Sequence, residues 1–235
     1  MGIQERKERE KEARREEILN AAYTVFVHKG LTGATVDDIA AAAELSKGTI
    51  YLYFHSKEDL YLAVMNRGLD IMLEMFEVVV ANDANPLQTI WDLGDAYTAY
   101  FDQHRDYFRM FAFFENPEMH DMVTPHMMVQ CQERDAKVWA LVSAVMQRAI
   151  EAGLLHGGLN PLEAGMMLWS NTTGLLRQLD RNEEYWHGKM GIDLRKTLRT
   201  SNGLLLEAMM TEKAKHMYPD LVRFRGSAGE QENRS

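Results

Sequence analysis

Residues that suit contact with a phosphate backbone lie together in one short stretch of the chain. Residues 46–49 read Ser-Lys-Gly-Thr and offer two hydroxyl groups, an ammonium group and one position without a side chain. Serine is a frequent helix N-cap, and the N–H groups of the turn that follows a cap point outward and accept an anion at close range. Tyr51 and Tyr53 then present aromatic edges and hydroxyls, and Leu52 offers an apolar tip. These groups together match what a nucleic-acid duplex presents.

Two short helices joined by a tight turn must position these residues. The first helix has apolar residues at i, i+3, i+4 and i+7, which form one face: Val36, Ile39, Ala40 and Ala43. Thr35 precedes this face and Asp38 follows three residues later, which is the capping-box pattern. The second helix begins after Ser46. The pattern predicts a helix-turn-helix whose second helix enters the DNA major groove.

The same stretch resembles the DNA-binding domain of the TetR/AcrR family of bacterial transcriptional repressors. The family pattern is roughly T-x-x-x-I-A-x-x-A-G-V-S-x-G-T-x-Y-x-Y-F-x-x-K-x-x-L. The residues that match it are Thr35, Ile39, Ala40, Ala43, Ser46, Gly48, Thr49, Tyr51, Tyr53, Phe54, Lys57 and Leu60. Glu44 stands where the family usually has glycine, and Leu45 replaces the usual valine. If Glu44 adopts a positive φ, the strain is on the order of 1 kcal/mol, and its carboxylate would also repel a nearby phosphate.

The resemblance implies which residues touch DNA. They are Thr35, Lys47, Gly48, Thr49, Tyr51, Leu52, Tyr53 and Lys57. By their chemistry, Lys47, Thr49, Tyr53 and Lys57 suit phosphates, whereas Tyr51 and Leu52 suit base edges or thymine methyl groups. Ile50 and Phe54 are expected in the core instead.

The overall charge of the chain is acidic, which restricts the kind of DNA binder it can be. The net charge is −9 with a pI of about 5.4. A basic surface is needed only where phosphates approach, because charges beyond a Debye length of about 8–10 Å are screened. No acidic residue occurs from Leu45 to Ser56. This charge distribution argues against a nucleoid-coating protein and is compatible with an operator binder.

Helical periodicity extends through almost the whole chain and predicts an all-α fold. We expect an N-terminal three-helix helix-turn-helix domain and a larger helical domain for ligand binding and dimerisation. The predicted boundaries are 1–57, 58–225 and a disordered tail at 226–235, with a charged, solvated helix extension at 4–17. Asn-Pro pairs at 85, 116 and 160 predict helices near 86–103, 105–115, 119–153, 161–181 and 192–217, after a fourth helix from 57 to about 81. No apolar run is long enough for a bilayer and there is one cysteine, so we expect a cytoplasmic protein.

Methionine and aromatic residues are concentrated after the predicted DNA-binding domain, residues 1–57. All of the 16 methionines except Met1 follow it. Methionine fills irregular cavities and adaptable binding surfaces, so an apolar effector pocket between helices is expected, beside the simpler interpretation of an ordinary core. The resemblance implies the same kind of pocket. The candidate lining residues are Tyr97, Phe101, Phe108, Phe111, Met122, Trp139, Met166, Trp169 and Asn171.

The last two long helices, 161–181 and 192–217, are the predicted homodimer interface. The later helix carries an apolar stripe of Leu194, Leu198, Leu205 and Met209. The earlier helix offers Met167, Gly174 and Leu175, where small neighbours permit close approach. An intrachain core using the same stripe is the alternative.

Catalytic and metal-binding motifs are scarce. The sequence contains no nucleophile elbow, P-loop, dinucleotide fingerprint or zinc-protease motif, so no enzyme and no cofactor are predicted. Cys131 is expected to be an inert, packed thiol. A metal site is the more serious rival, because four potential ligands fall within twelve positions: Glu115, His120, Asp121 and His126.

Two functional hypotheses follow from the sequence. One is a dimeric repressor that binds a palindromic double-stranded operator and is released by an apolar effector. The other is a metal- or redox-sensing regulator on the same scaffold. The sequence leaves activation open beside repression.

Overall fold

A computed structural model of the chain describes residues 2–82, 85–114 and 120–221. Within these ranges the regular structure is helical, with an isolated antiparallel bridge between Leu155 and Met210. The α-helices are α1 Ile3–Gly33, α2 Val36–Ala42, α3 Lys47–Tyr51, α4 Lys57–Ala81, α5 Pro86–Gln103, α6 Arg105–Phe114, α7 Pro125–Glu151, α8 Pro161–Glu183, α9 Leu194–Met209 and α10 Glu212–Met217. A π-helical segment spans Glu184–Lys189 and a 3₁₀ turn Pro219–Leu221. The all-α prediction is confirmed, while the predicted tail at 226–235 lies outside the described residues.

The helix predicted over 192–217 is in fact two helices. Met210 leaves the helical conformation with φ −75° and ψ 141°. The chain pairs there with the turn after α7, since Thr211 N donates to Leu154 O at 3.0 Å and His156 N donates to Met209 O at 3.0 Å. The side chain of Thr211 then accepts from Ala214 N and caps α10. A threonine that satisfies a helix start in this way competes with helix continuation, and periodicity alone does not reveal it.

The described residues fall into two compact units. Among the described residues, the first unit comprises 2–73, 104–114 and 120–136, and the second comprises 74–82, 85–103 and 137–221. The first unit therefore contains α1–α3, the beginning of α4, α6 and the beginning of α7. The functional boundary predicted at residue 57 stays a prediction.

The first unit is organised around the second half of α1. Its N-terminal half is exposed and carries ion pairs within one helix, such as Arg6–Glu10 at 2.8 Å and Arg14–Glu17 at 2.7 Å. From Ile18 onward one face is buried, because apolar residues then recur at helical spacing. The buried residues of α1 are Ile18, Leu19, Ala21, Ala22, Val25, Phe26 and Leu31. This face packs with α2 and with the start of α4, where the rings of Phe26 and Tyr61 meet edge to face with centroids 5.1 Å apart.

The second unit is held together by polar contacts across α5, α8 and α9. Tyr97 of α5 bonds through its hydroxyl to Thr173 Oγ1 of α8 at 2.9 Å. Arg195 of α9 grips Asp102 with both terminal nitrogens, at 3.0 and 2.6 Å. Helices α7 and α8 also lie close together, because a Cβ added to Gly165 of α8 would lie 2.7 Å from Cγ1 of Val142 of α7.

The apolar stripe on α9 faces its own chain for most of its length. Leu194, Leu198 and Met209 are buried within the described chain, and Leu205 is half-buried. The prediction that this stripe meets a partner is wrong for the three buried leucine and methionine positions, because the intrachain core uses them. On α8, in contrast, Met167 and Gly174 are exposed.

Among the described helices, none combines the length and the apolarity that crossing a bilayer requires.

Candidate nucleic-acid interface

Side-chain caps fix the starts of α2 and α3, the two helices of the helix-turn-helix, which is called the reader below. Thr35 Oγ1 accepts from Asp38 N at 3.1 Å, and Asp38 Oδ2 accepts from Thr35 N at 3.0 Å, so the predicted capping box is confirmed. Ser46 Oγ accepts from Thr49 N at 3.1 Å and lies 2.8 Å from Thr49 Oγ1. Ser46 therefore caps α3 as predicted, and the first turn of α3 is held in place before any ligand arrives.

Helix α3 and the three residues after it, 52–54, are divided between the core and the surface. Ile50 and Phe54 are 1% and 4% exposed, which confirms their expected place in the core. Leu52 is 82% exposed and Tyr51 is 45% exposed, although both are large and apolar or aromatic. The remaining predicted contact residues of this segment are exposed or half-buried: Thr35, Lys47, Gly48, Thr49 and Tyr53. The surface offered by α3 thus combines hydroxyl groups, an ammonium group and apolar tips.

The folded chain itself does not require the glycine at position 48. A Cβ built there would lie 3.7 Å from Ser46 Oγ, which is an ordinary contact distance. Glycine inside a helix costs about 0.5–1 kcal/mol relative to alanine. Since no packing within the chain requires glycine at this exposed position, we interpret it as a place where an external molecule approaches the helix closely.

The lysines around the reader are paired within the chain. Lys47 Nζ lies 2.9 Å from Asp37 Oδ2, and this contact raises the pKa of Lys47. Lys29 Nζ lies 2.7 Å from Asp38 Oδ1. Hydrogen bonds from Lys29 and Thr35 lower the pKa of Asp38 to about 2. Asp37 was not among the residues predicted from the sequence, although it lies on the neighbouring helix and its charge is opposite to that of Lys47.

The ammonium group of Lys57, a predicted DNA contact, makes two hydrogen bonds within the chain. Its ammonium group donates to Leu31 O at 2.7 Å and to Ala34 O at 3.0 Å. Both residues follow Gly30, whose φ of 65° and ψ of 172° interrupt α1, so Lys57 binds the short last turn of that helix. Two of the three ammonium protons are therefore used to fasten α4 to α1, and one remains for an external acceptor.

The turn between α2 and α3 contains a strained residue. Glu44 has φ 55°, the positive value that the missing glycine made us anticipate, and its side chain is exposed. The turn is closed by Leu45 N donating to Ala40 O at 2.9 Å. A left-handed non-glycine residue costs about 1–2 kcal/mol, so this turn keeps its shape at the expense of stability.

Long-range contacts in the first unit tie α1 to α4 and α6. Arg67 of α4 donates to Glu16 and to Asn20 of α1. Tyr23 of α1 donates to Asp106 Oδ2 of α6 at 3.3 Å. These contacts join residues 47 to 83 positions apart in the sequence, so no local pattern marked them.

The nine candidate effector residues are distributed over both units. In the first unit Phe108 is buried, Phe111 is half-buried and Met122 is exposed. In the second unit Tyr97 and Phe101 are buried.

Three further candidates of the second unit form two different groups. Trp139 and Trp169 meet edge to face, with ring centroids 5.6 Å apart. Asn171 is instead bound to α9, since its Nδ2 donates to Ser201 Oγ at 2.8 Å and to Asn202 Oδ1 at 2.7 Å. Met166, the ninth candidate, is exposed on α8. The tryptophan pair is thus brought together, whereas Asn171 belongs to the α8–α9 contact.

The residues of the metal hypothesis make other contacts where they are described. His120 lies against the ring of Phe114, with centroids 4.7 Å apart, and its Nε2 is 3.1 Å from Phe114 O. His126 Nε2 is 3.1 Å from Gln130 Nε2. Glu115 lies outside the described residues. Within the described ranges no three His, Cys, Asp or Glu side chains are grouped to hold a metal ion.

Comparison with known proteins identifies the helix-turn-helix. The family model for bacterial regulatory proteins of the tetR family matches residues 18–64, which include α2, α3 and the caps described above. Residues 18–64 therefore carry the DNA-binding domain of the tetR family of bacterial regulatory proteins. The transcriptional repressor KstR2 of Mycobacterium tuberculosis is 35% identical over 81 residues, a match that covers 34% of this chain and 40% of KstR2. The chain thus matches about two fifths of the length of that relative.

Two solved structures of transcriptional regulators share the fold over most of the chain. FadR of Bacillus subtilis, solved with stearoyl-CoA, has a TM-score of 0.66 at 17% identity and covers 83% of this chain and 99% of its own. SmeT of Stenotrophomonas maltophilia, solved with triclosan, has a TM-score of 0.64 at 20% identity and covers 86% and 94%. At these identities the likeness concerns the fold alone.

The positive φ of Glu44 generates the first testable prediction. Replacing Glu44 with glycine should raise the free energy of unfolding by about 1 kcal/mol, because glycine adopts this conformation without the Cβ penalty. Chemical denaturation measures the change. Glu44→Gln is the matched control, since it removes the charge and keeps the strain. Equal stability of the glycine and glutamine variants would contradict the strain argument.

Proposed function

We propose that this TetR-family chain is a dimeric transcriptional repressor that binds a palindromic DNA operator and is released by a mainly apolar small molecule. The observation that carries the proposal is the division of α3 into a buried face and an exposed polar and aromatic face. The proposed DNA contacts are Thr35, Lys47, Gly48, Thr49, Tyr51, Leu52, Tyr53 and Lys57. Membership of a family of bacterial regulatory proteins and similarity to the repressor KstR2 support it.

Asp37 should weaken the attraction of the reader for any DNA. Its carboxylate occupies Lys47 in the free protein, so a phosphate must displace it to reach the ammonium group. An exposed ion pair of this kind contributes little to stability, typically about 0–1 kcal/mol, which makes the exchange easy when a phosphate is well placed. We infer that Asp37 lowers non-specific binding more than it lowers operator binding, because only the operator complex places phosphates accurately.

Salt-dependent DNA binding separates the roles of the two lysines. Lys47→Met should weaken binding to operator and other DNA alike and reduce the salt slope by about 1, without a change in stability. Lys57→Met should also reduce the slope by about 1, and should in addition lower the free energy of unfolding by about 1–3 kcal/mol because two charged hydrogen bonds are lost. Titrations over a range of salt concentrations, beside thermal unfolding, measure both effects.

Two further variants complete that experiment. Asp37→Asn should strengthen binding to non-operator DNA, since it leaves Lys47 unpaired. Lys189→Met is the control, because Lys189 is exposed in the second unit. An unchanged slope in Lys57→Met would mean that its ammonium group serves the fold only, and failure to select any sequence from random duplexes would refute operator binding itself.

The dimer proposal draws on an exposed face of α8. Met166, Met167, Ser170 and Gly174 are exposed and recur at helical spacing on one side. A Cβ added to Gly174 would meet nothing within 4 Å in the chain, so this position can admit a partner helix closely. On α9, Leu204 is exposed beside the half-buried Leu205. We therefore place the interface on α8 and on the Leu204 side of α9, and assign Met166 to it.

A charge on this face should abolish both dimerisation and operator binding. Leu204→Glu is expected to give monomers, because a carboxylate would have to be buried without a partner. Operator affinity should fall with it, since a two-fold dimer places its recognition helices about 34–36 Å apart on DNA. Val78→Glu, on the exposed side of α4, is the control. A Leu204→Glu protein that sediments as a dimer and binds the operator normally would exclude this interface.

The effector proposal rests on the aromatic and methionine content of the residues after the reader. Stearoyl-CoA and triclosan, the molecules bound to FadR and SmeT, are both largely apolar. Coupling is proposed to act through α4, which starts at Lys57 beside α1 and continues to Ala81. A ligand that prefers the released state by about 1–3 kcal/mol would lower DNA affinity about 5- to 150-fold.

Operator binding titrated with a panel of lipophilic compounds tests this coupling. Compounds that bind the chain should reduce operator affinity, and Trp169→Ala should weaken that response because it removes one ring of the Trp139–Trp169 pair. The half-exposed Trp186, altered to alanine, is the control for loss of an indole. If tight-binding compounds leave operator affinity unchanged, the release mechanism fails while operator binding stands.

A further inference from the structure

Asn66 of α4 is a buried amide that has no partner. The residue is 3% exposed, and neither its Nδ2 nor its Oδ1 makes a hydrogen bond within the described part of the chain. Leaving a buried polar group unpaired costs about 1–3 kcal/mol, and for this reason nearly all such groups are bonded. An amide that leaves both a donor and an acceptor unused in the interior therefore calls for an explanation.

Two contacts locate Asn66 within the first unit. Asp59 Oδ1 accepts from Thr124 N at 2.8 Å and from Thr124 Oγ1 at 3.0 Å. Arg134 Nε of α7 donates to Asp70 Oδ1 at 2.9 Å. Asp59, Asn66 and Asp70 are seven and four residues apart, which places them within about 40° of one another around the helix. Asn66 thus lies on the strip of α4 that faces the start of α7, between the two contacts.

The strip of α7 that faces α4 is apolar between these two contacts. Met127 and Cys131 lie between Thr124 and Arg134 at helical spacing, and both are buried. Thioethers and thiols are weak hydrogen-bond partners. Burial raises the pKa of the Cys131 thiol to about 11, as expected in a dry environment. The α4–α7 seam, defined as residues 59–70 of α4 with 124–134, is therefore an apolar contact that contains one unsatisfied amide.

We propose that the α4–α7 seam binds a mainly apolar molecule through an uncharged hydroxyl or amide group that pairs with Asn66. Satisfying both amide atoms takes one donor and one acceptor, which a hydroxyl or a carboxamide supplies. A carboxylate supplies acceptors only and would leave Oδ1 unpaired. It would also meet no free cation among these residues, because Arg134 is already paired with Asp70. This site does not depend on the proposed operator or on its release.

The seam also has a direction. Asp70 and Arg134 are partly exposed, with side chains 47% and 30% accessible, and lie about one helical turn, roughly 6 Å, from Asn66. Asp59 Oδ2 is buried without a hydrogen-bond partner in the described ranges, about 10 Å from Asn66 along the opposite direction. A ligand would enter from the Asp70 end and place its hydroxyl at Asn66. A second donor on the ligand, further in, would reach Asp59.

Matched neutral compounds test the proposal by calorimetry on the full chain. The probes are 4-phenylphenol with 4-methoxybiphenyl, and dodecan-1-ol with 1-methoxydodecane. Each pair keeps the frame and removes only the donor. In the wild type the hydroxyl compound should bind about 10-fold more tightly, since its methyl ether leaves Oδ1 unpaired. In Asn66→Leu, which keeps the heavy-atom shape of the side chain, the order should reverse in favour of the more apolar ether.

A stability measurement without any ligand supports or overturns the same idea. Asn66→Leu should raise the melting temperature by about 2–10 °C, because two unsatisfied groups are removed. Thr172→Val is the control for a buried polar group that does have a partner, Asn202, at 2.9 Å, and should lower it. Asn66→Ala should also abolish the hydroxyl preference, whatever its stability.

Three results would overturn the proposal. One is a hydroxyl preference that persists in both Asn66 variants, and another is a wild type that binds none of the four probes. The third is a fall in the melting temperature of Asn66→Leu equal to that of Thr172→Val, since Asn66 would then have partners within the fold. Operator binding by these variants is a separate readout and bears only on the proposed repressor function.

Discussion

The surface proposed to contact DNA depends on α3, a helix too short to be stable by itself. Helix α3 has five residues, far below the roughly 12–15 at which isolated helices become stable in water. It is held by the Ser46 cap at its start and by Ile50 and Phe54, which reach into the core formed with α1. Arg15 of α1 lies over the Phe54 ring at 5.6 Å and covers it from outside. The position of every exposed group on α3 therefore follows from residues that point the other way.

This dependence gives the second half of α1 a role in positioning the residues proposed to contact DNA. Its second half supplies the apolar floor, and its C-terminal carbonyls hold Lys57 at the start of α4. The exposed N-terminal half has ion pairs between neighbouring turns, which keep it soluble and contribute little else. Ile18 is fully buried and Arg6 is exposed, so we expect a change at Ile18 to disturb the packing of the first unit more than a change at Arg6.

Local patterns predicted the parts of the molecule that local chemistry decides. The capping box at Thr35, the Ser46 cap and the helix starts at Pro86 and Pro161 need only neighbours in sequence, and all were found where expected. The positive φ of Glu44 followed in the same way, from a departure at a single turn position.

Contacts between distant residues were beyond the same reasoning. The carbonyl partners of Lys57 are 23 and 26 residues away. The apolar stripe on α9 is mostly buried in the core of the second unit. Periodicity identifies an apolar face without saying whether the same chain or another one covers it. The candidate effector residues illustrate this: they were chosen by residue type alone, and Asn171 in fact donates a hydrogen bond to Asn202 of α9.

Helix α4 connects these features because successive turns of its first half have different neighbours. Lys57 and Arg67 bind α1, Tyr61 donates to a carbonyl of α6, and Asp70 binds α7. Such a helix cannot slide by small steps, since each polar contact has a narrow range of geometry, so its alternatives are discrete arrangements. Asn66 is unsatisfied in the arrangement described here, which means that this face of α4 retains free energy that another arrangement or a bound molecule would recover. A ligand shifts such an equilibrium only by the difference in its affinity for the two states, and a partner for Asn66 is an interaction that only one of them provides.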